Sequence, residues 1–379
     1  MQAATIDFEP IISKADPVNR DLITRFARTQ RLTGLKDQTI ATKLWRLVTL
    51  IKFFEYRDIS TLTREDIETF YLHRREHQTP RTVWNDFTEY ERFYKWLKPD
   101  EYQDMFSGLN LKRPKTTLPV DEVLSPGDIA RLLEACDNQR DRALVALMWD
   151  TGCRLGELID LDVGRVEFDR YGGVCILDGK TGRRRARLID AVPDLQLWIN
   201  MHPCASDPHA PLFIELRSAE RRRLSTRRIH GILKHLQKKA GVSKRVHPHG
   251  FRHGRATEKA SVLTEAEMNL RFGWQPGSGM SRVYVHLSGR DLETKELQLA
   301  GLLQEDEIQK SPMDPVKCPR SGCKYVNAPG ARFCMACGMM LSEEAIALVE
   351  TTQAKVEETP EYQALLGAMK EKVRQDLMG

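Results

Sequence analysis

Between Gly108 and Val123 the chain loses its helical periodicity. That stretch, GLNLKRPKTTLPVDEV, carries two prolines and three basic side chains but no apolar stripe. Proline removes a backbone donor and drives its neighbour towards extended conformations, so such a run links folded bodies instead of continuing one. The chain is therefore expected to fold as separate bodies, and its 379 residues leave room for two or three, each with a core of its own.

Upstream of this linker the pattern is helical. Ile40, Leu44, Leu47, Ile51 and Phe54 recur at steps of three and four, which places them on one helix face. Thr63-Arg-Glu-Asp66 has capping-box spacing ahead of Ile67 and Phe70. Thr79-Pro80 starts a further helix carrying Val83, Phe87, Tyr90, Tyr94 and Leu97. Residues 17–110 thus read as a bundle of four or five helices, behind an N-terminal tail of residues 1–16 without a clear period. Downstream of the linker, taken as 111–124, Ser125-Pro-Gly-Asp128 caps a new helix, and an apolar helix from about Asp141 breaks at Asp150-Thr-Gly152. Residues 173–190 change character: Val174-Cys-Ile-Leu177 and Ala186-Arg-Leu-Ile189 flank a glycine-containing turn, the signature of a β-hairpin. A mainly α domain with a small sheet is expected over 125–310, followed by a cysteine-rich module at 316–341 and a charged helical tail at 342–379.

Charge is unevenly distributed along the chain. The formal net charge is only +5, yet Arg217–Arg255 holds 13 Lys/Arg against the single acid Glu220. A basic block inside a folded segment suits a polyanion, and nucleic acid is the commonest one. No signal pattern and no apolar run of ~18 residues occur, so a cytoplasmic, nucleoid-associated protein without membrane contact is expected.

Phosphodiester cleavage without a metal needs a nucleophile, cations on the non-bridging oxygens and an acid for the leaving 5′ oxygen. Arginine fits the second task through its planar, permanently charged fork. Tyrosine fits the first when the bond must be reversible, because the ester conserves the energy of the backbone bond. Lysine or histidine fits the third. Candidates of each kind are present: Arg154 in TGCRLGEL, Lys180 at the hairpin turn, His249 and Arg252 in HPHGFRH, and Tyr284 in Tyr-Val-His286. Singly, each has an ordinary structural explanation: a surface arginine, a solvated lysine, incidental histidines, a core tyrosine.

Together, in this order and at these separations, they resemble the tyrosine recombinase (phage integrase) family, archaeal integrase-like members in particular. TGCRLGEL at 151–158 is similar to the family's T-G-x-R-x-x-E-L, Gly179-Lys-Thr-Gly-Arg-Arg-Arg185 to its lysine hairpin, and His249-Gly-Phe-Arg252-His253 to its H-x-x-R-H form. The resemblance covers about 125–295 and, more loosely, 17–110. It implies an all-α core-binding domain that binds DNA, joined to a mainly α (α+β) catalytic domain with a small β-hairpin sheet. It also implies recombination through a 3′-phosphotyrosyl intermediate, without a catalytic metal or nucleotide cofactor. Arg154 and Arg252 would clamp the phosphate, Tyr284 would attack, Lys180 would be the acid, and His249 and Trp274 would hydrogen-bond to the phosphate. Most members carry Gly-His where this chain has Gly273-Trp274, and the stretch from Trp274 to Tyr284 is about one residue longer than usual. An indole donates a hydrogen bond but transfers no proton, which shifts acid–base work to Lys180 and His249. Double-stranded DNA and a homo-tetramer on paired sites are the implied partners, with residues 291–309 the segment expected to bridge protomers. A type IB topoisomerase-like relaxing activity and a non-catalytic DNA-binding regulator are the alternatives. A pure binder needs no tyrosine nucleophile.

Cys318-x4-Cys323-x10-Cys334-x2-Cys337 forms two close pairs around a short loop. Four thiolates so spaced close a tetrahedral Zn(II) shell without an open position, and Gly338 allows the tight turn of such a knuckle. A structural zinc in a zinc-ribbon-like module is expected, with disulfides or an iron–sulfur cluster as the competing readings.

Overall fold

A computed structural model describes residues 6–15, 17–114, 122–169, 171–179, 182–285, 296–297, 299–302, 313–327 and 329–378. The chain divides into two compact units, Met1–Thr117 and Leu118–Gly379.

The first unit is built from α1 (Glu9–Ile12), α2 (Pro17–Leu32), α3 (Asp37–Phe53), α4 (Arg64–His77), α5 (Pro80–Leu97) and α6 (Tyr102–Met105). Ile40, Leu44, Leu47 and Ile51 of α3 are completely buried, as their spacing requires. Thr63 and Asp66 close a reciprocal capping box at the start of α4, and the Thr79 side chain caps α5 with Pro80 at its first position. Aromatic packing fills the interior, where Phe26 meets Phe93 edge-on at 5.1 Å and Phe70 lies 5.7 Å from both Phe87 and Tyr90. Two buried phenols satisfy their hydroxyls on carbonyls, Tyr94 on Ile59 and Tyr90 on Arg46. The first segment departs from the sequence reading, because Phe8, Ile11, Ile12 and Ala15 are buried in this core. Four helical residues are too few to display a period.

In the second unit α7 (Pro126–Glu134), α8 (Gln139–Thr151) and α9 (Leu155–Ile159) precede a three-stranded antiparallel sheet of β1 (Val166–Asp169), β2 (Gly172–Gly179) and β3 (Gly182–Leu188), in the order β1-β2-β3. Then come α10 (Val192–Asn200), α11 (Thr226–Lys239), α12 (Pro248–Lys259), α13 (Glu265–Phe272) and α14 (Met280–Val285). The hairpin β2–β3 lies where the two short apolar runs and the glycine-containing turn place it; β1, whose four residues carry two acids, adds an edge strand that the sequence reading omits. α8 is the central helix, with Ala143 to Thr151 buried without interruption. A smaller apolar group, Ala256, Met268, Phe272, Trp274 and Tyr284, packs separately from the main core of this unit.

Further on, β4 (Val316–Lys317) pairs with β5 (Val326–Asn327), and two helices follow at Glu343–Glu357 and Pro360–Met378. Leu292 and Leu303 of the expected bridging segment lie outside the described residues, while Leu297, Leu299 and Leu302 are exposed. Among the described residues, no helix is long and apolar enough to cross a membrane.

Candidate active site

The end of α8 sets the position of the first arginine. Gly152 terminates that helix in the left-handed conformation, φ +55°, which suits a residue without Cβ. Three residues later α9 begins, with Arg154 at its N-cap. The Arg154 amide donates to Glu157 Oε2 at 2.9 Å, its Nη1 to Oε1 at 2.8 Å, and its Nη2 to the Gly273 carbonyl at 3.0 Å. Glu157 is buried and also accepts from Arg184 Nη2 at 2.9 Å. Burial pushes the Glu157 carboxyl up, but the charge of Arg184 and the bonds from both arginines outweigh it and hold the group below its ordinary range. One carboxylate therefore orients two guanidiniums.

Arg184 was not singled out in the sequence. It is the middle residue of Arg183-Arg184-Arg185 on β3, and strand alternation turns it inward, 9 % exposed, while Arg183 points to solvent at 64 %. Gly179, opposite Gly182 at the end of the hairpin, passes so close that a Cβ there would lie 2.6 Å from Glu157 Oε1. Lys180, the proposed acid, lies outside the described residues.

Helix α12 carries the second cationic group. Arg252 is buried; Nη1 donates to the Gly152 carbonyl at 2.9 Å and Nη2 to that of Phe272. Its guanidinium also faces the rings of Phe272 and Trp274, at 5.4 and 5.3 Å from their centroids. Burial lowers its pKa to about 10, with Arg154 and then Arg184 adding to the shift, so it remains protonated at neutral pH. The charges of Arg154 and Arg184 beside a buried guanidinium make this a place that favours an anion. His249 lies one turn before His253, their rings edge-on at 4.1 Å, and burial, Arg252, His247 and Arg154 lower the His249 pKa.

The aromatic residues complete the arrangement. Phe272, Trp274 and Tyr284 form a continuous stack, with centroids 5.0 Å apart for the first pair and 5.3 Å for the second, and the Trp274 and Tyr284 planes only 2° from parallel. Tyr284, on α14, is 1 % exposed, and its hydroxyl meets His253 Nδ1 at 2.6 Å. Five of the six residues proposed from the sequence, Arg154, His249, Arg252, Trp274 and Tyr284, thus belong to one connected constellation. Phe272, Arg184 and His253 join it; only His253 carried a signal, its place directly after Arg252 and four residues after His249.

The four cysteines also converge. All four Sγ atoms lie within 4.8 Å of one another, with Cys318–Cys337 and Cys323–Cys334 both at 3.7 Å. Gly338, φ +71°, returns its amide to the Cys334 carbonyl at 2.8 Å and closes the second turn.

Known proteins resemble this chain in sequence and in fold. The profile of the Phage integrase family matches residues 122–288. Tyrosine recombinase XerA of Pyrococcus furiosus is 33 % identical over 206 residues, which cover 52 % of this chain and 70 % of that protein. Among solved structures, the XerH site-specific recombinase in a post-cleavage complex with difH substrate superimposes with a TM-score of 0.57 at 15 % identity, covering 76 % of this chain and 98 % of that one. A lambda integrase tetramer bound to a Holliday junction gives a TM-score of 0.53 at 13 % identity, over 73 % of this chain and 84 % of the other. A relative this similar over more than two thirds of its length, together with the mainly helical fold, settles the family: this chain is a tyrosine recombinase of the Phage integrase family, whose members cut and rejoin DNA.

Proposed function

We propose that the chain carries out site-specific recombination of double-stranded DNA with Tyr284 as nucleophile and Arg154 and Arg252 as the phosphate clamp. The observation that carries this reading is the position of Tyr284. Its ring stacks on Trp274, which the Arg252 guanidinium also faces, so nucleophile and cation share one aromatic wall. In the reaction Tyr284 Oη attacks phosphorus in line, the 3′-phosphotyrosyl bond forms and the 5′ oxygen leaves. Arg252 spends two of its five donors on carbonyls, which fixes the fork while the remaining N–H groups serve the phosphate. Arg154 is fixed by Glu157 in the same way, and His249 and Trp274 add hydrogen bonds to the non-bridging oxygens. Lys180 protonates the leaving oxygen, and a 5′ hydroxyl from another strand reverses the chemistry. Arginine charge, not a metal, neutralises the phosphate in this scheme. Residues 17–110 and the basic run Arg217–Arg255 supply DNA affinity through counterion release, and a tetramer assembles on paired sites, as the lambda integrase tetramer does on its junction.

The cysteine module is proposed to hold one structural zinc through Cys318, Cys323, Cys334 and Cys337. A tetrahedral shell with Zn–S bonds of about 2.3 Å has sulfur–sulfur edges of roughly 3.8 Å, which the 3.7 Å pairs match. The same separations are far too long for disulfides, whose sulfurs lie about 2.05 Å apart. Bound zinc would supply the cohesion that a two-stranded ribbon this small lacks.

Replacing Tyr284 by Phe removes only the nucleophilic oxygen. On nicked DNA the Tyr284→Phe protein is expected to bind as the native chain does and to leave no covalent adduct on a denaturing gel. Normal adduct formation would assign the nucleophile elsewhere.

A further inference from the structure

His253 lies outside the set of residues that the reaction above requires, yet it is the hydrogen-bond partner of the reacting oxygen, with Nδ1 2.6 Å from Tyr284 Oη. The phenol ring is also stacked on the parallel indole of Trp274. It therefore has little freedom to turn its hydroxyl away, and burial leaves it almost no water.

Resting on the assignment of Tyr284 as nucleophile, we propose that His253 is the general base of strand cleavage. With Nε2 carrying the ring proton, Nδ1 accepts from the hydroxyl. As the Oη–P bond forms and the P–O5′ bond breaks, the phenolic proton passes to Nδ1, and the leaving 5′ oxygen takes a separate proton from Lys180. In the rejoining step the attacking 5′ hydroxyl gives its proton back to Lys180 as the P–O5′ bond forms, the Oη–P bond breaks, and His253 returns its own proton to Tyr284.

The geometry of the 2.6 Å hydrogen bond sets the path of the proton, and the surroundings keep it on the tyrosine until attack begins. Burial, then His249, His247 and Arg252, push the His253 pKa down to about 4, so the ring is neutral and able to accept at physiological pH. Burial pushes the Tyr284 phenol up to about 12, with Arg252 opposing. The proton consequently stays on the tyrosine at rest and moves only as phosphorus takes the oxygen's electron pair, which is the situation in which a positioned base accelerates a reaction. Arg252 cannot fill this role because a guanidinium accepts no hydrogen bond. His249 presents its ring to His253, and no hydrogen bond joins it to Tyr284 among the described residues. His253 also lines a cavity of about 560 Å³ together with Glu122, Lys244, Arg245 and His247.

The decisive variant is His253→Asn. Its side-chain oxygen takes roughly the place of Nδ1 and still accepts the hydroxyl's hydrogen bond, but it cannot take the proton. Single-turnover cleavage of nicked DNA should fall about 10²- to 10⁴-fold with DNA affinity unchanged, and the remaining rate should climb with pH. Ring-fluorinated tyrosine at position 284, a more acidic phenol, should recover much of that loss. Cleavage within about threefold of native in His253→Asn would reduce His253 to a positioning contact and overturn the proposal. The native histidine gives an independent reading should the variant lose DNA binding. If His253 is the base, the acid limb of the rate profile belongs to the imidazole and stays in place when position 284 is fluorinated. A limb that moves with the acidity of the phenol would mean that Tyr284 ionises unaided, and would overturn the proposal. Neither result touches the identity of the nucleophile, which the Tyr284→Phe adduct assay decides separately.

Discussion

Gly152 connects the fold to the site at a single backbone position, and Gly152→Ala is the sharpest test of that connection. At φ +55° an alanine is strained by about 1–2 kcal/mol. The added Cβ would also lie 2.6 Å from Phe272 Cε1 and 3.1 Å from Cδ1, an overlap that has to be relieved by moving the ring. Overpacking of this kind costs roughly 1–3 kcal/mol, so the total is about 2–5 kcal/mol. For a domain of this size each kcal/mol lowers the melting temperature by about 2–4 °C, which puts the expected drop on the order of 10 °C. The consequence for cleavage is larger than for stability. Phe272 supports Trp274, Trp274 supports Tyr284, and the Gly152 carbonyl holds Arg252. A displacement of an ångström in a reacting group costs on the order of 10²-fold in rate. Below its melting temperature the variant should therefore bind DNA but form adduct about a hundred times more slowly in single-turnover assays. Gly156→Ala is the control: nothing lies within 4 Å of its Cβ position and its φ is not left-handed, so it should melt at or slightly above the native temperature. A Gly152→Ala protein with native melting and native cleavage would refute the link between the glycine, the stack and the nucleophile.

Arg252→Lys keeps the charge but loses the fork that spans Gly152 and Phe272, so cleavage should fall about 10²- to 10³-fold; single-turnover rates within about threefold of native would contradict the clamp. Lys180→Ala should be defective on an ordinary phosphodiester and recover on a 5′-phosphorothiolate, whose sulfur leaves without needing a proton. Equal defects on the two substrates would make Lys180 a binding residue instead. Elemental analysis should find about one zinc per chain and almost none after joint Cys318→Ser and Cys334→Ser substitution, whereas undiminished zinc in that variant would move the metal to the histidines of residues 247–253.

What could be read in the sequence follows the range over which each interaction acts. Capping boxes at Thr63/Asp66 and Ser125/Asp128 and the proline start after Thr79 are agreements between residues three positions apart or fewer, and each forms. The buried stripe of α3 is legible for the same reason, since its period repeats over several turns. Phe8, Ile11 and Ile12 bury in the helical core through a segment too short to repeat, and β1 carries alternate acids that hide an edge strand. The motif residues of the site, Arg154, His249, Arg252 and Tyr284, were visible as residue types in order. Their supports were not: the Arg154 bond to the Gly273 carbonyl spans 119 residues, and the Arg184 bond to that of Arg271 spans 87. No local rule encodes such pairs, and a middle arginine among three gives no hint of facing inward until the register of the strand is known.

The electrostatics around Arg252 and Tyr284 bear on how the proposed reaction is held back until a phosphate is bound. Arg154 and Arg184 share a single carboxylate, Glu157, while Arg252 bonds only to carbonyls, and burial, with Arg154 and Arg184 adding to it, lowers its pKa to about 10. In the proposed reaction the scissile phosphate brings negative charge beside these cations, and binding it offsets their mutual repulsion. Tyr284 experiences the same surroundings in the opposite sense. Burial drives its phenol up to about 12, and the nearby cation only partly offsets this. At neutral pH the resting tyrosine therefore carries its proton in almost every molecule and is a poor nucleophile. In the proposed mechanism activation waits for an electrophilic phosphorus held by the two arginines, because only then does losing the proton to a neighbouring base become favourable. On this proposal clamp and nucleophile depend on one another through charge and burial. The coupling has a consequence in the Arg252→Lys protein: a poorly held phosphate should leave Tyr284 protonated and the adduct unformed even when the DNA is saturating.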